Sequence, residues 1–190
     1  MAAADFNLSK LKGALASGGA RPSLFDFTIT DAPAGITGLG NINLYCHVSA
    51  LPPLTVTPIE KQYFGRTVKI PGDIVFGDLT TTIYQTEEGK ERFAIEKWMD
   101  NINGHVSNIS RYENSTANFM GKYSATGTLK QYGKSGTVAG AISSVEFIDM
   151  WPQSVSEIAL SYDTASDIEQ FDCTWSYQHY SVKIGQTRYV

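Results

Sequence analysis

The feature that most constrains the fold of this chain is a strict alternation of apolar and polar residues in several short segments. The clearest case is QFDCTWSY, residues 170–177, in which every second residue is apolar or aromatic. Alternation with a period of two is typical of a β-strand that buries one face, whereas a helix scatters such residues around its circumference. The apolar positions of this segment are Phe171, Cys173, Trp175 and Tyr177.

The same alternation predicts further strands along the chain. In segment 147–163 we expect a strand, a corner at Trp151-Pro152 where proline lacks a ladder donor, and a second strand over 157–163. Trp151 would close one end of the core, and Ile158, Leu160 and Tyr162 would point into the core or a subunit seam. The other predicted inward faces are Phe25, Phe27 and Ile29; Ile42, Leu44, Cys46 and Val48; and Leu79, Thr81 and Ile83.

Three segments depart from this strand pattern. Leu8, Leu11 and Leu15 share one face of a short helical arm at residues 1–19. Residues 54–70 form a long two-armed excursion with apolar and aromatic residues near its tip. Residues 88–103 predict a helix whose apolar stripe packs on the core, formed by Ile95, Trp98, Met99 and Ile102.

Together these segments predict a mainly β fold, an antiparallel β-sandwich or barrel with one flanking α-helix and a short N-terminal helical arm. The length of 190 residues suits one domain, which we place at residues 20–180, with a tail at 181–190. Both cysteines, Cys46 and Cys173, fall inside strand-like segments. With no export signal visible, they are predicted to be reduced core thiols.

The charge and hydropathy of the chain exclude two classes of protein. A net charge of −4 argues against a protein that binds nucleic acid through its phosphates. The sequence contains no apolar run of the roughly 18 residues that a membrane span needs. No membrane anchor is therefore expected.

The local motifs that carry enzymatic chemistry are incomplete here. GKSGT at residues 133–137 lacks the upstream glycine of a phosphate-binding loop, and GITGLG at 35–40 has its glycines in the wrong order for a dinucleotide site. The three histidines lack metal-ligand spacing. An acid–base hydrolase using Asp149 with Glu157 or Asp163 remains a remote alternative, although alternate acids on an antiparallel sheet are usually solvated. We predict no catalytic residues, cofactor or metal.

Two sequence blocks of the chain are specific, CHVSALP (46–52) and WPQSVSEIALSYDTASDIEQFDCTWSYQHY (151–180). Supporting segments are ARPSLF (20–25), GRTVKIPGDIVFGDLTTTI (65–83), the helix around KWMDNING, and LKQYG (129–133). In chain order, these segments resemble the tail tube protein family of contractile-tailed, T-even-like bacteriophages, and the resemblance covers roughly residues 20 to 180. Loop 32–41, segment 104–120 and the tail after Tyr180 depart from the family pattern.

The resemblance implies a β-sandwich-like subunit that forms hexameric rings, which stack into a hollow tube inside a contractile sheath. The tube conducts DNA without binding it specifically, as part of a virion tail that assembles in the bacterial host cytoplasm. Implied partners are further copies of the chain, the sheath protein, the baseplate hub, the tape-measure protein and the tail terminator. The nearest alternative is the tube of a phage-derived contractile injection system or a type VI-like secretion device.

Exposed apolar tips usually mark partner surfaces, so the arm and the 54–70 excursion are candidate contacts between subunits or rings. The alternative is that both fold back onto their own core. We further expect a lumen with few Lys or Arg, since six copies at −4 give about −24 per ring. The contact candidates are Leu8, Leu11, Leu15, Ile59, Glu60, Lys61, Tyr63, Phe64 and Arg66. The lumen candidates are Asn43, Thr80, Thr82 and Lys130.

Overall fold

The computed structural model describes residues 8–14, 19–106, 123–134, 141–164, 167–184 and 187–188. Within these ranges the chain forms three α-helices, ten β-strands and one short 3-10 helix at Tyr162–Thr164. The helices are α1 (Leu8–Ala14), α2 (Ile42–Tyr45) and α3 (Lys90–Ile102). The strands are β1 (Phe25–Thr30), β2 (Cys46–Ser49), β3 (Leu54–Tyr63), β4 (Arg66–Phe76), β5 (Leu79–Tyr84), β6 (Ala125–Tyr132), β7 (Ala141–Val155), β8 (Gln170–Ser176), β9 (His179–Ile184) and β10 (Thr187–Arg188).

The main sheet is antiparallel, and its long strand β7 belongs to two half-sheets. The first half-sheet contains β1, β6, β9, β10 and the start of β7, whereas the second contains β8, β5, β2 and the end of β7. The strands follow the order β1-β6-β7-β8-β5-β2, and the two end strands β1 and β2 contact each other. The fold is therefore a sandwich that is nearly closed into a barrel, which confirms the predicted mainly β class.

The core lies between the two half-sheets and is built from aromatic side chains. The ring of Trp175 on β8 lies 6.2 Å from the ring of Phe27 on β1 and 5.8 Å from that of Trp98 on α3. The indole Nε1 of Trp175 donates a hydrogen bond to the Thr81 hydroxyl, at 2.9 Å. Trp175 thus joins both half-sheets and the helix, and the inward faces predicted for β1, β5 and β8 are confirmed.

Helix α3 closes one side of the core with the stripe that the sequence predicts. Ile95 and Trp98 are fully buried, while Met99 and Ile102 pack against the core from its margin. Trp98 also donates from Nε1 to the Tyr123 carbonyl, which satisfies the one polar atom of its ring. In the part of the chain that the structure describes, no helix has the length and apolar character needed to cross a bilayer.

The predicted break at Trp151-Pro152 is wrong, because β7 runs through both residues. Pro152 pairs with Trp175 and adjoins a bulge before Ser154, a position where a strand tolerates a missing N–H. The corner lies at Asp149, whose positive φ of 53° bends β7 as it passes from β6 to β8. Trp151 packs against the core from its margin, in line with the predicted closing role.

Two predicted strands are also corrected. Residues Ile42–Tyr45 form the short helix α2, which buries Ile42 and leaves Leu44 exposed; Val48 on β2 is exposed as well. Segment 157–163 is a loop that ends in the 3-10 helix; Ile158 packs on the core, but Leu160 and Tyr162 are exposed. Both segments alternate apolar and polar residues, but in the described structure no second layer covers the whole apolar face of either segment.

Both cysteines are free and buried, which confirms the prediction of reduced core thiols. Burial, with a smaller contribution from the charge of Asp26, raises the pKa of the Cys46 thiol to about 12. Burial likewise raises the pKa of Cys173. Neither sulfur is a thiolate near neutral pH, so neither has the reactive form of a nucleophile or metal ligand.

Candidate assembly interface

The strands β3 and β4 form a hairpin that stands apart from the main sheet. Among the strands that the structure describes, they pair only with each other, in a separate two-stranded sheet, and nearly all of their side chains are exposed. Each strand spans roughly 30 Å at the usual rise per residue. A two-stranded hairpin is marginally stable in water on its own, so this one needs a partner surface. The alternative that the excursion folds back onto its own core does not hold.

The tip of the hairpin is a two-residue turn made by Phe64 and Gly65. Both have positive φ, 43° and 77°, which is the backbone of a type I′ turn and matches the twist of paired strands. An aromatic residue rarely takes this conformation, yet Phe64 does so with 91% of its side chain exposed. Its ring stacks edge-on against Tyr63 at 4.6 Å. A strained backbone conformation thus holds an exposed aromatic pair at the tip of the hairpin.

The strand register separates the outer half of the hairpin into two different faces. Directly paired residues share a face, so the pairs Ile59–Ile70, Lys61–Val68 and Tyr63–Arg66 lie together. We name this set the apolar hairpin face. The opposite side, the polar hairpin face, consists of Pro58, Glu60, Gln62, Thr67, Lys69 and Pro71.

Side chains on the polar hairpin face pair with one another. Lys69 pairs with Glu60 at 3.2 Å, and the Gln62 amide donates to the Thr67 hydroxyl at 3.1 Å. By contrast, Lys61 and Arg66 on the apolar hairpin face take part in no ion pair within the described residues. Of the predicted contact residues, Glu60 thus lies on the other side from Ile59, Lys61, Tyr63 and Arg66.

Val68 and Ile70, which were not among the predicted contact residues, complete the apolar hairpin face from β4. Both are about half exposed, like Ile59 on β3. The signal was present in RTVKI, where Val68 and Ile70 alternate with Thr67 and Lys69. Once Phe64-Gly65 is recognised as a two-residue turn, the register places them opposite Lys61 and Ile59.

Gly72 is required by a close approach between the two strands of the hairpin. A Cβ at this position would lie 2.6 Å from the Thr57 carbonyl oxygen and 2.9 Å from Cγ1 of Ile59. We expect Gly72→Ala to destabilise the hairpin by about 1–3 kcal/mol. Amide hydrogen exchange in β3 and β4 should become faster, while the core strands keep their protection.

The matched control for this variant is Gly40→Ala, because a Cβ at Gly40 would meet no atom within 4 Å and its φ is not positive. Unchanged exchange rates in β3 and β4 of Gly72→Ala would show that the strands can separate to admit a methyl group, contrary to the prediction.

The base of the hairpin is fixed to the main sheet by one tyrosine and a cluster of rings. The Tyr177 hydroxyl donates to the Gly77 carbonyl at 2.5 Å, and the Gly77 N–H donates to the Pro53 carbonyl. Phe76 packs edge-on against Tyr180 at 5.3 Å. Burial, followed by the neighbouring Tyr180 and Asp78, raises the pKa of Tyr177 to about 12, so its hydroxyl stays a donor. These contacts hold the base while the outer half projects.

The N-terminal arm also exposes its apolar residues. Leu8 and Leu11 lie on α1 and are more than half exposed. Leu15 lies outside the described residues. The predicted helical arm is present over Leu8–Ala14, and neither described leucine packs into the core.

The four lumen candidates lie on different parts of the subunit. Thr80 and Thr82 lie on the outer face of β5, where the Thr82 hydroxyl donates to Asp172 at 2.7 Å. Lys130 lies on β6 in the first half-sheet, opposite Asp26 and Ser144. Asn43 is exposed on α2. The outer face of β5 and β8 is polar and free of Lys and Arg; its residues are Thr80, Thr82, Tyr84, Gln170, Asp172, Thr174 and Ser176.

The acids considered for hydrolase chemistry are not assembled into a site. Asp149 accepts a hydrogen bond from the Ser124 hydroxyl at 3.1 Å, whereas Glu157 and Asp163 are exposed in the loop that follows β7. Among the described residues, no group of three or more His, Cys, Asp or Glu side chains is placed to hold a metal ion.

A nearly closed β core carries a projecting hairpin whose apolar face has no partner among the described residues, which is the arrangement expected of a structural protein that assembles with other chains. Comparison with known proteins identifies which kind of assembling protein this is. The family model for the phage tail tube protein matches residues 7–183. The chain therefore belongs to the phage tail tube protein family.

Two characterised relatives are similar over most of the chain. The tail tube protein gp19 of Enterobacteria phage T4 is 26% identical over 156 residues, covering 82% of this chain and 86% of the relative. The corresponding protein of Enterobacteria phage T6 is 27% identical with the same coverage. These relatives are structural tail tube proteins of the virion tail.

A solved structure shows the same fold at low sequence identity. A chain of the sheath–tube complex of the PVC extracellular contractile injection system, in its extended state, aligns with a TM-score of 0.60. The sequences are 13% identical, and the alignment covers 94% of this chain and 98% of the other. This likeness shows the fold alone.

Proposed function

We propose that this chain is the repeating subunit of a phage tail tube, in which hexameric rings stack into a hollow conduit for DNA inside a contractile sheath. The observation that carries the proposal is an exposed apolar hairpin face, without a partner in the described part of the chain, on a member of the tail tube family. In this assembly, the hairpin and the arm with Leu8 and Leu11 contact neighbouring subunits. Those contacts bury the apolar surface that the isolated subunit leaves exposed.

The outer face of β5 and β8 is the best candidate for the lumen wall. Its residues are mostly Thr, Ser, Tyr and Gln, and its one charged member, Asp172, is acidic. Such a surface offers no cation to DNA phosphates, so DNA slides past instead of being held. Lys130 lies on the other half-sheet, whose outer face also carries Lys183 paired to Glu146. This difference favours Thr80 and Thr82 as lumen residues over Lys130.

The role is structural, with no catalytic step. The partners are further copies of the chain, the sheath protein, the baseplate hub, the tape-measure protein and the tail terminator. Assembly takes place in the cytoplasm of the bacterial host, and the finished tube is part of the virion. The free surfaces outside the hairpin and lumen are available for the sheath.

Electron microscopy of the purified chain, at rising concentration, tests this proposal. We expect rings or tubes of uniform width with sixfold symmetry. A three-dimensional reconstruction should place Thr82 on the inner wall. A monodisperse monomer at every concentration, also after addition of a baseplate that nucleates growth, would contradict the tube function. An inner wall rich in exposed Lys and Arg would contradict the lumen assignment.

A further inference from the structure

A second exposed surface of mixed character lies between β7 and β8. We name residues 157–163 and 167–169 the acidic loop. Its large apolar side chains are open to solvent, with Tyr162 fully exposed and Leu160 79% exposed. Its carboxylates are exposed and form no ion pair within the described part of the chain; they belong to Glu157, Asp163, Asp167 and Glu169.

The acidic loop is concave as well as charged. Leu160, Tyr162, Asp167 and Glu169 all line one open cleft. Apolar side chains and carboxylates thus face the same space. A partner that fills this cleft would present apolar surface together with positive charge.

The apolar hairpin face has that composition. It combines Ile59, Val68 and Ile70 with Lys61 and Arg66, two cations that form no ion pair within the described residues. The acidic loop and the apolar hairpin face match in apolar character and are opposite in charge.

The base of the hairpin and the acidic loop lie at opposite ends of β5 in the second half-sheet. Strand β5 begins at Leu79, two residues after the hairpin base at Gly77. It ends at Tyr84, and the next residue, Gln85, donates its N–H to the Glu169 carbonyl of the acidic loop. The strand between them is roughly 20 Å long. Complementary surfaces at different places on a subunit give a head-to-tail contact, which builds a closed ring or an open stack instead of a dimer.

We propose that the apolar hairpin face of one copy docks in the acidic loop of a neighbouring copy, with Lys61 and Arg66 facing the carboxylates that line the cleft. This inference rests on the proposed function and goes beyond it, because it assigns the receiving surface and the charges that select it. A second copy is the occupant because the matching surface of opposite charge is present on the same chain. A wrongly oriented subunit would bring two hairpin faces or two acidic loops together, and the repulsion between their like charges would disfavour that contact.

Charge reversal on each surface tests the docking. The hairpin variant carries Lys61→Glu with Arg66→Glu, and the loop variant carries Asp167→Lys with Glu169→Lys. Alone, each variant brings like charges together, so the concentration required for tube growth should rise at least about tenfold. In an equimolar mixture every contact between unlike variants joins opposite charges, and growth should return toward the wild-type concentration. Sedimentation and electron microscopy measure growth, and circular dichroism checks the fold.

The matched control is Lys69→Glu, a charge reversal in the same hairpin but on the polar hairpin face, and it should assemble like the wild type. Two results would overturn the docking: assembly of either variant alone at the wild-type concentration, or a mixture that stays unassembled. If the wild-type chain forms tubes in the same experiment, the tube function still stands. If the wild-type chain forms no rings or tubes under any condition, the tube function itself is overturned.

Discussion

Tube formation is expected to be lost when the apolar side chains of the hairpin are replaced by Ile59→Ser, Phe64→Ser, Val68→Ser and Ile70→Ser together. These side chains are about half exposed or more in the subunit and would become buried against a neighbour. Losing that burial should cost about 4 kcal/mol per subunit contact, equivalent to about a thousandfold in the association constant. Sedimentation velocity and electron microscopy at matched concentrations measure the loss.

The subunit itself should remain folded, since the hairpin lies outside the main sheet and none of the four replaced residues belongs to the core cluster. Its thermal unfolding temperature should therefore match that of the wild type. The control variant carries Gln62→Ser and Thr67→Ser on the polar hairpin face and should still form tubes. Tubes of wild-type length from the fourfold variant would show that the hairpin is not an assembly surface.

Trp175→Ala is expected to lower the free energy of unfolding by about 3–5 kcal/mol. Trp175 is fully buried and contacts Phe27 and Trp98, so alanine leaves a cavity between both half-sheets and the helix. The Thr81 hydroxyl also loses the indole donor. Denaturant unfolding followed by circular dichroism measures the change. A loss of this size is a large part of the total stability of a domain.

Trp151→Ala is the matched control, because Trp151 lies at the margin of the same core and is only partly buried. It should cost clearly less than Trp175→Ala. Equal losses of unfolding free energy for the two variants would mean that the core does not depend on the contacts among Phe27, Trp175 and Trp98.

Much of the core was predictable from alternation and helical spacing. Phe27, Ile83 and Trp175 are buried where the period of two places them, and Ile95 and Trp98 are buried on the predicted helix stripe. Leu44 and Leu160 fit the same kind of pattern but are exposed. Alternation states which side chains share a face, but not whether another layer of the protein lies over that face.

The candidate interface was predictable in part. The aromatic tip and the two cations of the hairpin were found from composition, whereas Val68 and Ile70 needed the cross-strand register, which the Phe64-Gly65 turn fixes. The corner was predicted at Trp151-Pro152 and occurs at Asp149 within the long strand. Proline limits a strand only where its missing N–H would be needed, and a bulge removes that need.

The sequence by itself determined the strands of the core, the helix stripe and the existence of an apolar excursion, because these depend on the local spacing of side chains. Only the tertiary structure decided that β7 belongs to both half-sheets, that the hairpin has one apolar and one self-paired face, and that the hairpin and the acidic loop lie at opposite ends of β5. These properties depend on pairing between residues distant in the chain, and the spacing within any one segment does not specify that pairing.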